Sequence, residues 1–232
     1  MGGWWAVFMS SPSVATNRAM ITTASAFLTA SLASAKLLKS SATTNVFTVE
    51  VEPKFAKTCF TPCSGAIVYN RSPLFEFGAI IQHFKRLGLV LDDRIGVGWT
   101  SMGGFTSSAL LTHHPEIKVA SCMMGSPTPI QYRERLIEHA SRSFNRFLPD
   151  DLRDLTAWVD RYDLSTQVDS LAGRPFFIWH GERDWRVPYD QTVGFVKGNA
   201  DLDNIIFVHE DEDHLVRTET MDMMTTFFLD HL

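Results

Sequence analysis

The stretch Ile95-Gly-Val-Gly-Trp-Thr-Ser-Met-Gly-Gly104 decides the fold of this chain. Its first half is a short apolar run typical of a buried strand, and the glycines after it predict a sharp turn into a helix over residues 102–113. Such a turn lifts its side chain above the edge of a sheet, so Ser101 is a candidate nucleophile. The turn needs small residues two positions before and after the serine. Gly103 meets this requirement, and Trp99 does not.

Strands and helices alternate through the rest of the chain. Apolar runs predict strands at 46–51, 94–99, 119–125, 175–181 and 204–209, and helical spacing predicts helices at 74–87, 189–197 and 218–232. This alternation predicts an α/β fold with a mostly parallel sheet flanked by helices. Between two of the strands, residues 128–165 are polar, aromatic and helical in character. They predict a small helical cap with the anchors Tyr132, Phe144, Phe147 and Trp158.

Length, charge and cysteine content exclude several classes of protein. A chain of 232 residues suits one domain with a sizeable core. The net charge of -5 and the lack of a long basic run argue against a nucleic-acid partner. Cys59, Cys63 and Cys122 form neither an even disulfide framework nor a zinc pattern, which favours reduced thiols and a cytoplasmic location. The sequence has no metal-ligand spacing and no phosphate-binding glycine loop, so we expect no metal and no cofactor.

The first 62 residues differ in composition from the rest. Up to Val49 the only charged residues are Arg18, Lys36 and Lys39, and Ser, Thr and Ala dominate. The segment is too rich in hydroxyl residues for a membrane span, so we expect no membrane association. We therefore divide the chain into an atypical N-terminal segment, 1–62, and an α/β domain, 63–232. Two explanations for the first segment stay open: disorder, or translation from a shifted reading frame.

Two further strand ends carry residues that suit a serine nucleophile. Asp184 follows the strand at 175–181, and His214 follows the strand at 204–209. A histidine can take the serine proton and return it to a leaving group, while a carboxylate fixes the histidine tautomer. Taken singly, Asp184 is explained as a turn cap and His214 as a surface residue. The order Ser, Asp, His at three strand ends favours a catalytic triad. His180 is interpreted as a buried strand-end residue that shapes the loop of Asp184.

Several motifs carry a family resemblance. They are Leu91-Asp-Asp-Arg-Ile-Gly-Val97, Thr100-Ser-Met-Gly-Gly104, Ala120-Ser-Cys-Met-Met-Gly-Ser126, Trp179-His-Gly181 with Asp184 and Val187-Pro188, and the ending Thr226-Phe-Phe-Leu-Asp-His-Leu232. From about residue 65 to the end, the chain resembles the small bacterial α/β-hydrolase esterases of the YjfP type. These esterases are related to the dienelactone hydrolase and prolyl oligopeptidase-like groups.

The resemblance implies an α/β-hydrolase fold and carboxylesterase activity on small acyl esters. It implies Ser101 as nucleophile, Asp184 as orienting acid and His214 as base. It also implies that the backbone amide of Met102 donates to the oxyanion that forms when the serine attacks. The implied partner is a small-molecule ester, and the oligomeric state is left undefined.

The chain departs from the family at two points. Relatives carry glycine where this chain has Trp99, and they carry an early strand ending in His-Gly whose next residue gives a second oxyanion amide. Here the one His-Gly pair is His180-Gly181, and Gly2-Gly3-Trp4 is a poor match for a remnant of that loop. Two other functions therefore stay open. One is a catalytically impaired hydrolase-fold protein that acts as a binding module, and the other is a peptidase or lactone hydrolase with the same triad.

Overall fold

The structure is a computed structural model that describes residues 5–10, 18–23, 36–39, 47–51, 71–88, 90, 93–143, 153–154 and 156–232. Its strands are β1 (Trp5–Ser10), β2 (Arg18–Thr23), β3 (Lys36–Lys39), β4 (Phe47–Val51), β5 (Ile95–Thr100), β6 (Ile117–Met123), β7 (Phe176–Gly181) and β8 (Ile205–Glu210). Its helices are α1 (Arg71–Arg86), α2 (Met102–Leu111), α3 (Pro129–Ser143), α4 (Tyr189–Gly198) and α5 (Thr218–His231). No helix in these ranges is long and apolar enough to cross a membrane.

The strands form one sheet in the order β3-β4-β2-β1-β5-β6-β7-β8. Strands β5 to β8 are parallel neighbours, and β2 is parallel to β4, while β1 and β3 run antiparallel to the strands beside them. The predicted α/β fold with a mostly parallel sheet flanked by helices is confirmed. Strands β1 to β4 come from the segment 1–62. Its proposed end at residue 62 lies outside the described residues, so the division of the chain stays a prediction.

Helices cover both faces of the sheet at β5, as a buried parallel strand requires. On one face, Ile95 and Val97 pack with apolar residues of α1, α2 and α4. On the other face, Gly96 and Gly98 lie under the ring of Phe228 from α5. A Cβ atom at Gly96 would lie 2.5 Å from that ring, and one at Gly98 would lie 2.9 Å from it. The two glycines of β5 are therefore set by packing against α5.

A cap segment, made of α3 and three short 3-10 helices (Ala157–Tyr162, Leu164–Thr166 and Val168–Leu171), connects β6 to β7. Asp163, which is buried, accepts hydrogen bonds from the backbone amides of Ile130 and Ser165, both at 2.8 Å. Arg133 of α3 donates to Asp160 at 2.7 Å. The bonds made by Ile130 and Arg133 cross between α3 and the 3-10 helices, so they fix the two parts of the cap segment against each other.

Candidate active site

Ser101 occupies a strained turn between β5 and α2. Its φ of 54° and ψ of -121° lie in a region that residues other than glycine rarely adopt, and such strain concentrates at functional sites. The amide of Ser101 donates to the carbonyl oxygen of Met123 at 2.7 Å, which ties the turn to the end of β6. Trp99 is half-buried and packs against the core cluster around Phe228. The bulky residue two positions before Ser101 therefore does not prevent the turn.

Two glycines let the first turn of α2 approach the end of β6. A Cβ atom on Gly125 would lie 2.7 Å from the backbone nitrogen of Phe105 and 2.8 Å from the backbone of Gly104. A Cβ atom on Gly104 would lie 3.1 Å from the carbonyl oxygen of Met123. Real Cβ atoms essentially never show the contacts found at Gly125, and the contact at Gly104 is tighter than most of them, so the close approach of the two backbones depends on glycine at these positions. This contact supports the turn that holds Ser101.

The three predicted triad residues lie together at the carboxyl edge of the sheet. The hydroxyl oxygen of Ser101 is 2.8 Å from Nε2 of His214, and Nδ1 of His214 is 2.6 Å from Oδ2 of Asp184. A carboxylate only accepts, so Nδ1 carries the hydrogen and Nε2 is free to accept from the serine. Asp184 follows β7 and His214 follows β8, so three separate strand ends supply the three side chains.

Asp184 is held as a carboxylate. Its side chain is fully buried, and Oδ1 accepts from the amides of Arg186 at 2.9 Å and Val187 at 3.0 Å. Burial alone would raise the pKa of Asp184, but the side chains of His180 and His214 and the amide of Val187 outweigh it and hold that pKa well below its usual range. The group beside Nδ1 of His214 is therefore negatively charged at neutral pH.

Met102 places a backbone amide next to Ser101, at the first position of α2. No acceptor for this amide lies among the residues that the structure describes, so it is available to an anion beside Ser101, at the positive end of the helix dipole. The early loop that gives relatives a second oxyanion amide has no counterpart among the described residues. Residues 1–4, which include Gly2-Gly3-Trp4, and residues 52–70 lie outside the described part of the chain.

An apolar pocket of about 110 Å³ opens beside Ser101. Helix α2, the cap segment and two residues from elsewhere supply its walls: Leu74, Met102, Phe105, Thr106, Ala109, Pro129, Tyr132, Trp158, Val159, Tyr162 and Val187. Of the four predicted aromatic anchors, Tyr132 and Trp158 line the pocket, while Phe144 and Phe147 lie outside the described residues. Sequence reasoning missed Leu74 and Val187, which have no motif that marks them as pocket residues.

Among the residues that the structure describes, the surroundings of the triad hold neither a metal cluster nor a reactive thiol. Within the described ranges, no three His, Cys, Asp or Glu side chains are arranged to hold a metal ion. Cys122 of β6 is fully buried, and burial raises the pKa of its thiol to about 12. Its thiol is therefore protonated at neutral pH, which argues against Cys122 as a nucleophile.

Sequence comparison extends these observations. The model of the prolyl oligopeptidase family matches residues 69–232. Over 122 residues, 52% of this chain and 48% of the relative, the sequence is 36% identical to the protein named "Putative esterase YitV" of Bacillus subtilis (strain 168). Over 165 residues, 68% of this chain and 64% of the relative, it is 26% identical to Esterase YjfP of Escherichia coli (strain K12). The matches thus span about half to two thirds of the length of these curated relatives.

Solved structures share the fold. The acylaminoacyl peptidase of Pyrococcus horikoshii is similar with a TM-score of 0.59 and 18% identity, over 81% of this chain and 32% of that one. Acetyl xylan esterase 1 of Thermoanaerobacterium sp. JW/SL YS485 is similar with a TM-score of 0.54 and 17% identity, over 81% of this chain and 66% of that one. Both are α/β hydrolases, so the fold is that of an α/β hydrolase. The family model covers more than half of the residues of this chain, so the chain belongs to the prolyl oligopeptidase family.

Proposed function

We propose that the protein is a serine hydrolase that cleaves carboxylic esters of small acyl groups through an acyl-enzyme on Ser101. One observation carries the proposal: the path from the Ser101 hydroxyl through His214 to Asp184, with contacts of 2.8 and 2.6 Å, begins at a strained strand-to-helix turn. Membership of the prolyl oligopeptidase family and the esterase names of two relatives support it.

Acylation uses each of these groups once. The hydroxyl oxygen of Ser101 attacks the acyl carbon and passes its proton to Nε2 of His214, while Asp184 stabilises the imidazolium that results. The carbonyl oxygen becomes an oxyanion, to which the amide of Met102 donates. The bond to the leaving alcohol then breaks, and the alcohol takes the proton from Nε2.

Deacylation repeats these steps with water as the nucleophile. The water oxygen attacks the acyl carbon while His214 takes a proton from the water, and the oxyanion forms again beside Met102. Collapse of this intermediate breaks the bond to Ser101 and returns the proton to the serine oxygen. The products are the carboxylic acid and the free serine, so the cycle closes without a further reactant.

The pocket beside Ser101 supports a short acyl group. An apolar cavity of roughly 150 Å³ accepts benzene, and this pocket of about 110 Å³ is smaller. Tyr132 and Trp158 line it from the cap segment, and none of the described residues around it carries a charge that could bind a polar acyl chain. We therefore expect acetyl to butyryl esters to be cleaved best.

A substrate panel tests the proposal. Purified protein is assayed with 4-nitrophenyl esters of two to twelve carbons, a lactone and a peptide anilide, beside the variants Ser101→Ala and His214→Ala. We expect short-chain esters to give the highest kcat/KM and both variants to lose it. Preference for the anilide or the lactone would favour the alternative hydrolase, which the family name supports. A folded wild-type protein with no activity on any substrate would favour a catalytically impaired binding module.

A further inference from the structure

His180 is a buried titratable side chain beside the candidate triad. It is the second-to-last residue of β7 and has an exposed fraction of 0%. Asp184 follows four residues later in the loop after β7. The steps proposed for ester hydrolysis assign no proton transfer to His180, so its burial next to Asp184 needs another explanation.

Both ring nitrogens of His180 have hydrogen-bond partners. Nε2 lies 2.9 Å from the carbonyl oxygen of Val187, which only accepts, so Nε2 carries a hydrogen. Nδ1 lies 2.9 Å from the hydroxyl of Thr192, a fully buried residue of α4. In the neutral ring the Thr192 hydroxyl donates to Nδ1, and both nitrogens are satisfied. The carbonyl of Val187 thereby favours the tautomer in which the N–H faces the loop of Asp184, and the hydroxyl of Thr192, which can donate, is compatible with it.

The same N–H also faces the carboxylate. Oδ2 of Asp184, which accepts from His214, lies 3.3 Å from Nε2 of His180. Val187 is bound on both sides, because its amide donates to Oδ1 of Asp184 at 3.0 Å and its carbonyl accepts from His180. His180 itself is part of β7, a fully buried strand between β6 and β8. A rigid element therefore holds both the carboxylate and the end of its loop.

We propose that His180 is a positioning residue that acts through Asp184, holding the loop and the carboxylate so that Oδ2 meets His214. The inference rests on the proposed function of the triad. A small misplacement of a catalytic group costs up to about a hundredfold in rate. Here the backbone amides of Arg186 and Val187 still hold Oδ1 after His180 is replaced. We therefore expect a loss of about tenfold.

A double-mutant cycle tests whether His180 acts through Asp184. His180→Phe keeps a ring of similar size and removes the N–H, and it is measured in the wild-type and Asp184→Asn backgrounds. The readout is the rate constant for fluorophosphonate labelling of Ser101, which slow variants still allow. We expect His180→Phe to lower this rate constant about tenfold in the wild-type background and less than about twofold in the Asp184→Asn background. The effects of residues that act as a unit are not additive. Equal losses in both backgrounds, or no loss in the first, would overturn the proposal.

A conservative variant separates the N–H from general core packing. His180→Gln places an amide nitrogen with two hydrogens near Nε2, so it can donate to Val187 and Asp184. We expect it to restore most of the labelling rate lost in His180→Phe. If folded His180→Gln is as slow as His180→Phe, the N–H is not the group that matters and the inference fails.

One measurement needs no variant and no activity. Long-range nitrogen–proton NMR correlations of the wild-type protein report the tautomer of each histidine. We expect Nε2 of His180 to carry a hydrogen, and a ring with its hydrogen on Nδ1 alone would overturn the proposal even if His180→Phe does not fold. Failure of the proposed function is seen separately, as a folded wild-type protein that is not labelled at Ser101.

Discussion

Gly98→Ala is the substitution that tests most sharply how the central strand is packed. Gly98 lies in β5, three residues before Ser101. A Cβ atom added there would lie 2.1 Å from the hydroxyl oxygen of Ser121 and 2.9 Å from the ring of Phe228. Ser121 and Phe228 are both almost fully buried, with exposed fractions of 0% and 1%. Neither side chain can move into solvent, so the added methyl group must displace packed atoms.

The expected cost follows from these contacts. Overpacking a buried site costs about 1–3 kcal/mol of stability. Alanine gains about 0.5–1 kcal/mol over glycine, because it lowers the backbone entropy of the unfolded chain. We expect Gly98→Ala to lower the free energy of unfolding by about 1–2 kcal/mol and the Tm by about 5 °C for a chain of this size. Thermal unfolding followed by circular dichroism measures the change. Gly78→Ala in α1 is the matched control, since a Cβ atom there meets nothing within 4 Å and we expect a slightly higher Tm.

A second substitution locates the strain. The hydroxyl oxygen of Ser121 is buried and has no hydrogen-bond partner in the described part of the chain, so Ser121→Ala costs little by itself. Ser121→Ala removes the hydroxyl oxygen that would lie 2.1 Å from a Cβ atom at position 98, and it leaves the contact of that Cβ atom with the Phe228 ring. We therefore expect Gly98→Ala to cost about half as much in the Ser121→Ala background. An unchanged or higher Tm for Gly98→Ala alone, or an equal loss in both backgrounds, would refute the packing described for β5.

Three further predictions concern Asp184, Cys122 and the acyl pocket. Folding lowers the pKa of Asp184. Its carboxylate therefore stabilises the fold at pH values above the pKa of an unfolded chain, about 3.9, and this stabilisation is lost as the pH falls toward the pKa of the folded protein. Urea unfolding should therefore show Asp184→Asn less stable than wild type by about 2 kcal/mol at pH 7, with a smaller difference at pH 3; a constant difference would contradict this. Because burial raises the pKa of the Cys122 thiol to about 12, peptide mass spectrometry should find it unmodified by iodoacetamide in folded protein and modified in guanidinium. Trp158→Ala should raise the ratio of kcat/KM for octanoyl esters to kcat/KM for acetyl esters by about tenfold. Trp185 is an exposed tryptophan outside the pocket, so Trp185→Ala should leave this ratio unchanged.

The second half of the fold could be predicted because its local signals agree with its packing. Apolar runs bounded by glycine and proline place β5 to β8 and their helices within a few residues of the observed ends. The same alternation puts Asp184 and His214 after two of the strands, and their convergence on Ser101 follows because the carboxyl ends of parallel strands share an edge. Strands β1 to β3 escaped prediction, since the segment 1–62 has few charges and weak apolar periodicity.

The parts that sequence could not give depend on contacts between distant residues. Trp99 was expected to obstruct the turn at Ser101, but its side chain packs into the cluster that α5 completes, more than a hundred residues later. The pocket walls likewise depend on Asp163, whose carboxylate binds the amide of Ile130 from 33 residues away. No local pattern marks such a bond, because it becomes visible only when both elements are packed on the sheet.

The central claim is that Ser101 is an activated nucleophile, and covalent labelling tests it most directly. Folded wild-type protein and Ser101→Ala are incubated with a fluorophosphonate, and intact-mass and peptide spectra are recorded. The account predicts one adduct per chain on the peptide that contains Ser101, slower labelling in His214→Ala, and no adduct in Ser101→Ala. An unlabelled wild-type protein whose circular dichroism shows it to be folded, or an adduct that persists in Ser101→Ala, would contradict the account.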